Sequence, residues 1–479
     1  MAKEIELKLL IRQADLKQLE ALMQQYKAKP QGVKRLENTY FDTPDLHLNQ
    51  AKAALRLRFN AKDWVQTLKT SGATLGALSE RGEWEMPVPE GKLNLALFPE
   101  GILDPQWQNK LTEKFSTNFT RETWLLTRTL HNHKVTSEVT SEIELAVDLG
   151  EVLLPIKAGQ APAAKDTICE VELELKQGET AELFKLANQL ASSLVVHPGV
   201  LSKAERGLRL LKGTAFVERS SLNSLNSNVV SFADLSNLAG QELNRWILAH
   251  ENWAFNANED EILKAHRALL RLHALLVLAQ RLCSAAKLYP AIVAVKELTA
   301  DFLPWVQGCW QDRALQRLEL TATDAEWRSK HLGYAVRRSE YRRLWHKNWV
   351  GQASLLLVES LFSHQHQQAC TQQNKADYLL QQAIAKLGLP QQPMEVKVWL
   401  ERYPSLVRVE LLLQHVSPAE KNNQQLIKQM QESIETLNGY QQLLGLHNLT
   451  DGIKKIVTAE HQTLLLQLGR MAQALWVKV

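Results

Sequence analysis

At 479 residues, with 45% hydrophobic and 23% charged side chains, the chain is too long for one ordinary core and apolar enough to pack two. A formal net charge of +4 is mild for that length and does not argue for nucleic-acid binding, and no apolar stretch reaches membrane-spanning length. The four cysteines, Cys169, Cys283, Cys309 and Cys370, are too few and too scattered for a disulfide framework. They are expected as free thiols of a soluble, cytoplasmic protein.

The first strand signal is the alternation of Glu4, Glu6 and Lys8 with Ile5, Leu7 and Leu9, which lines one strand face with charges of both signs. A helix is predicted over Asp15 to Gln25, and TYFDT (Thr39 to Thr43) reads as a strand end with a turn at Pro44. Arg56 and Arg58 then alternate with Leu55, Leu57 and Phe59, and Lys69 ends another strand-like run. Arg81, Glu83 and Glu85 flank Trp84 and Met86, with the two glutamates expected to tether arginines. Arg121 lies in the strand-like NFTRETW. Glu142, Glu144 and Asp148 share one parity, as do Glu170, Glu172, Glu174 and Lys176, before a predicted helix over Thr180 to Ser193.

One charged strand face usually belongs in water. Cross-strand ion pairs, at roughly 0.2–1 kcal/mol each, do not call for this many arginines and triple carboxylates. A sheet closed on itself does, if its apolar side is covered from outside and its interior is charged. An interior carrying both signs suits a polyanion with a divalent metal, because carboxylates take hard cations while lysine and arginine cradle phosphate oxygens.

Beyond Gly213 the pattern changes. Residues 219–228, RSSLNSLNSN, read as linker. Long amphipathic helices are predicted at Ile262 to Leu282, Glu326 to Trp349, Ala353 to Leu361, Leu400 to His415 and Gln424 to Leu444, which implies a bundle. His266, Arg267 and Arg271 read as a solvated helix face. Arg328, Lys330, His331, Arg337, Arg338, Arg342, Arg343, His346 and Lys347 form a basic cluster whose like charges repel at one-turn spacing, so it is either paired with acid elsewhere or a polyphosphate- or partner-binding face. His364 and His366 lack companion ligands at zinc-like spacing, there is no GxxxxGK[ST] loop, and the thirteen tryptophans are expected in packing roles.

The segments EIELK (Glu4 to Lys8), TYFDT, ALRLR (Ala54 to Arg58), TLK (Thr67 to Lys69), CEVELELK (Cys169 to Lys176) and LSKAERG (Leu201 to Gly207) resemble, in order and spacing, the CYTH or triphosphate tunnel metalloenzyme family. The second part resembles the CHAD domain more weakly, through QQLLGLHN (Gln441 to Asn448) and the helix from His266 to Ala279. The resemblance implies an α+β protein: an eight-stranded antiparallel tunnel over residues 1–213, a linker over 214–229, and an all-α bundle over 230–479. It implies Mg2+- or Mn2+-dependent hydrolysis of inorganic triphosphate, with thiamine-triphosphate hydrolysis, cyclic-AMP formation and non-catalytic polyphosphate binding as alternatives. Lys8, Arg56, Arg58, Lys69, Arg121 and Lys203 would hold the phosphate chain. Glu4 and Glu6 would hold one metal, and Glu170 and Glu172, helped by Asp148, a second, with Glu144 and Glu174 at the same parity left open. Long-chain polyphosphate is the partner implied for the helical part; neither membrane nor nucleic acid is expected.

Overall fold

The computed structural model describes residues 3–59, 62–75, 78–100, 102–131, 138–155, 165–217, 229–318, 321, 324, 326, 341–365, 373–390, 394–416, 421–447 and 449–476. The α+β chain divides into two compact units, Met1–Val217 with Ala254–Asn256 and His346–Glu359, and Glu218–Trp253 with Ala257–Trp345 and Ser360–Val479.

The first unit is built on an antiparallel sheet of β1 (Lys3–Ile11), β2 (Lys29–Asp42), β3 (Ala53–Phe59), β4 (Trp64–Leu75), β5 (Leu78–Pro87), β6 (Thr112–His131), β7 (Glu138–Leu153), β8 (Lys165–Gln177) and β9 (Val196–Pro198). Their order is β5-β4-β3-β2-β6-β7-β8-β1-β9, with a further pairing between β5 and β1. The expectation of an eight-stranded tunnel is therefore corrected: among the described residues this sheet has nine strands, and β9 stands at one end of the order. The reason lies in β1, whose pairing with β5 stops at Leu7, leaving the backbone of Leu9 to Ile11 to find partners in Val196 to Pro198.

Alternation decides the two faces. Leu7, Leu9, Ile143, Leu145, Val171 and Leu173 are wholly buried. Helix α1 (Leu16–Gln25) contributes buried Leu19 and Met23. After α2 (His47–Gln50), helix α3 (Thr180–Ser193), at its predicted bounds, packs on β8 with Leu183, Phe184, Leu186 and Leu190 buried. Each such side chain contributes roughly 1.5–3 kcal/mol. With hydrophobic burial met on that face, the opposite positions are free to carry charge.

Helix α4 (Lys203–Lys212) opens with a capping box between Ser202 and Glu205 and ends at Gly213, whose φ of 63° suits glycine. It packs against β6, β7 and β8, and its Leu208 and Leu210 join Leu36, Tyr40, Phe115, Phe119, Val152 and Ile168 in one apolar cluster. Gly207 allows this approach: a Cβ there would lie 2.1 Å from Phe115 Cε2.

The second unit is helical, with Glu259–Leu282, Tyr289–Gln316, Ala376–Ala385, Val396–Val416, Lys421–Leu444 and Asp451–Trp476 among its helices. The segments predicted at Ile262, Leu400 and Gln424 fall inside these, and that at Ala353 inside Asn348–Gln365. Most of Glu326 to Trp349 lies outside the described residues, as do Arg328, Lys330, His331, Arg337 and Arg338 of the basic cluster; Arg342, Arg343, His346 and Lys347 are exposed. The side chains of His364 and His366 are likewise outside the described residues.

Two expectations fail here. The face of His266, Arg267 and Arg271 is not solvated: His266 is 4% exposed and edge-on to Trp310, Arg267 pairs with Glu435 at 3.3 Å, and Arg271 with Glu242 at 3.4 Å. Neighbouring helices cover what periodicity read as an outer stripe. Cys169 is a free thiol, but Cys283 is disulfide-bonded, a proximity that linear spacing does not reveal.

Candidate active site

The charged strand positions converge on one cavity of about 600 Å³. Seven basic side chains line it, Lys8, Arg56, Arg58, Lys69, Arg121, Lys176 and Lys203, against five carboxylates, Glu6, Glu83, Glu85, Glu172 and Glu174. All six cations assigned from sequence are thus brought together. Register explains it: Glu6 stands opposite Glu174, Lys8 opposite Glu172, Arg121 opposite Asp148, and Lys69 opposite Glu83.

The cations divide by environment. On the β3–β5 side, Arg56 Nη2 lies 3.4 Å from both Glu83 and Glu85, Lys69 lies 2.9 Å from Glu83, and Arg58 donates to Asn38 Oδ1 at 2.9 Å. Glu83 and Glu85 thus act as tethers. Arg56 Nε is buried without a hydrogen-bond partner, and burial beside Arg56 holds the Arg58 guanidinium down to about 10. These are cations with unspent capacity for an anion. Lys8 Nζ donates to the Leu201 carbonyl at 2.9 Å.

On the opposite wall the cations are committed to carboxylates. Asp148, Glu170 and Glu172 offer oxygens within 4.8 Å of one another, and the first two are fully buried. Lys203 Nζ reaches all three, at 2.7 Å from Asp148, 2.5 Å from Glu170 and 2.8 Å from Glu172. Arg121 forms a two-pronged pair with Asp148, 2.7 Å on each prong, and also bonds Glu172. Arg206 approaches Glu170 at 3.3 Å while holding Asp166, which Arg209 also holds. Burial, the largest single influence, would raise these carboxylates, but Lys203 together with Lys8 and Arg206 at Glu170, and with Arg121 and Lys8 at Glu172, outweighs it and holds both below the usual range, Glu172 well below. Asp166 is lowered by Arg206 and Arg209 against its own burial.

Of the metal-type residues assigned from sequence, Asp148, Glu170 and Glu172 cluster. Glu6 stands apart in the cavity with no ion pair among the described residues, its carboxyl raised by burial first and by the charge of Glu172 second. The side chain of Glu4 is outside the described residues. Glu174 and Glu144 are taken by Lys176, at 2.6 and 3.7 Å. Sequence reasoning missed Lys176 as a lining cation and the Asp166–Arg206–Arg209 group. It read Tyr40 as structural only, although Tyr40 lines the cavity as well as stacking on Phe115 at 4.8 Å. The parity of Tyr40 with Asn38, opposite Arg56 and Arg58, was an available signal.

With this geometry in view, the likeness to known proteins has a physical content. Residues 2–208 match the CYTH domain. The CYTH-matching region holds every cavity residue named above. A curated relative, the inorganic triphosphatase of Haemophilus influenzae, is 32% identical over 216 residues, which cover 44% of this chain and 55% of that protein; the chain thus spans about half the relative's length. Among solved structures, a Hippeastrum protein first assigned as an adenylyl cyclase and having dominant triphosphatase activity is similar at 18% identity and a TM-score of 0.31, over 44% of this chain and 96% of that one. A Bacillus halodurans protein assigned as an adenylate cyclase is similar at 20% identity and a TM-score of 0.27, over 43% and 98%.

Proposed function

We propose that this chain hydrolyses inorganic triphosphate to pyrophosphate and phosphate with the help of a divalent cation, in the charged cavity beside β1, which pairs with both β5 and β8. The observation that carries the reading is that seven basic side chains line one cavity, and that Glu172 in its wall belongs to a group of three clustered carboxylates, the combination a polyanion with a hard cation requires and a plain anion site does not. The 32% identity to an inorganic triphosphatase supports the substrate class. Arg56, Arg58, Lys69 and Lys8 bind the phosphate oxygens. Arg121 orients the carboxylates and reaches the cavity from their side.

The all-oxygen donor set of Asp148, Glu170 and Glu172 fits Mg2+ or Mn2+, and Glu4 and Glu6 are assigned to a separate cation. A cation bound there would neutralise phosphate charge and help orient the attacking water. Catalysis is assigned to residues 1–213. The helical part, where its CHAD-like segments lie, is assigned to association with long polyphosphate through Arg342, Arg343 and their neighbours. Purified protein incubated with tripolyphosphate, ATP or thiamine triphosphate, with and without Mg2+ or Mn2+, tests the reading. Metal-dependent phosphate release, fastest from tripolyphosphate, is expected; equal efficiency on ATP, or release that ignores the metal, rejects it.

A further inference from the structure

Lys203 does two things at once. Its ammonium is within 2.8 Å of all three clustered carboxylates, and its side chain also lines the open cavity. It sits in the first turn of α4, and its neighbours Ser202 and Ala204 line the same cavity. The flexible four-carbon stem of a lysine can carry its charge from one position to the other without moving the helix. The ammonium meets the same three carboxylates that a hard cation would take, and three carboxylates crowded within 4.8 Å cannot be left without a counter-charge in so buried a place.

We infer that Lys203 is a tethered cation that competes with the divalent metal for Asp148, Glu170 and Glu172, and that an incoming polyphosphate, by drawing this lysine into the cavity, opens the group to the metal. The inference rests on the proposed metal role of those carboxylates. Its consequence is positive coupling: anion and metal each raise the other's affinity by the same factor, through one side chain. Arg121 and Arg206 remain against Asp148 and Glu170 in either state, so the exchange swaps one cation for another and leaves the rest of the network in place.

The test is Mn2+ binding to the EDTA-stripped full chain without any phosphate compound, followed by calorimetry. Lys203→Gln should bind Mn2+ at least tenfold more tightly than wild type. Lys8→Gln, which removes a nearby charge that is bonded to the Leu201 carbonyl rather than seated in the carboxylate group, should change affinity far less. Equal or weaker binding by Lys203→Gln overturns the inference, as does an equal gain in both variants, which would reflect general charge alone. Mn2+ binding by neither wild type nor Lys203→Gln overturns the metal reading itself along with it.

Melting gives a second readout. Lys203→Gln should melt below wild type in EDTA and recover most of the difference in excess Mn2+. If the variant is unfolded in EDTA, its circular dichroism should return on adding Mn2+, and failure to return at saturating metal overturns the inference.

Discussion

Replacing Gly207 by alanine sets two known effects against each other. In an exposed helix interior the change favours folding by about 1 kcal/mol, because glycine loses more backbone freedom than alanine. Here the new methyl would stand 2.1, 2.2 and 2.5 Å from three carbons of the Phe115 ring, where ordinary carbon contacts are about 3.5–4 Å. The ring cannot easily yield, being 3% exposed and stacked on Tyr40 at 4.8 Å. Overpacking of this kind costs about 1–3 kcal/mol, and three ring atoms within 2.5 Å put it in the upper part of that range, about 2–3 kcal/mol, so the clash should outweigh the helical gain and leave a net loss of about 1–2 kcal/mol. In a unit of some 200 residues that corresponds to a fall of roughly 2–8 °C in the melting transition that reports the sheet. Because α4 carries Lys203 and Arg206, tripolyphosphate turnover should fall with it. Calorimetry on the full chain reads the first effect, and Phe115→Leu separates the cause: in that background Gly207→Ala should cost less. A variant that melts at or above wild type, with no interaction with Phe115→Leu, would refute the packing account of α4.

Glu6→Gln should abolish metal-dependent turnover while leaving the melting temperature at pH 7 unchanged or higher, since a carboxyl raised by burial contributes stability only below about 4.5 and loses it as pH rises through its folded value; a clear fall in melting temperature would contradict this. Glu170, Glu172 and Asp166 carry the opposite sign, so their stabilisation is present above their ordinary values of 4.5 and 3.8 and is lost on acidification below them, visible as an acid transition of the sheet by circular dichroism. His266, held neutral by burial and the charge of Arg267 at about 4 instead of 6.5, should make the helical unit lose about 3 kcal/mol between pH 6.5 and 4, and His266→Phe should remove that dependence; an unchanged pH profile in the variant would show that His266 does not titrate on unfolding.

The chain by itself determined the charged face. Period-two alternation fixes which side chains share a side of a strand, so Lys8, Arg56, Arg58 and Glu172 each fall on the charged side of their own strand, and it is the resemblance to the CYTH family that groups them with Lys69 and Arg121. The strong helical periods at Thr180 and Gln424 were legible for the same reason. Alternation says nothing about what fills the space between strands. Only the tertiary structure placed α4 there, turned one end of the same face apolar through Leu36, Tyr40 and Phe115, and brought Lys203 from residues far along the chain onto three carboxylates. It likewise added β9, buried His266 and bonded Cys283, because each depends on neighbours distant in sequence. Local pattern assigns a residue to a face; which opposite charge or which ring it meets across that face is settled by how separate elements pack, and that is where the division between the cations on the β3–β5 side and those committed to carboxylates arises.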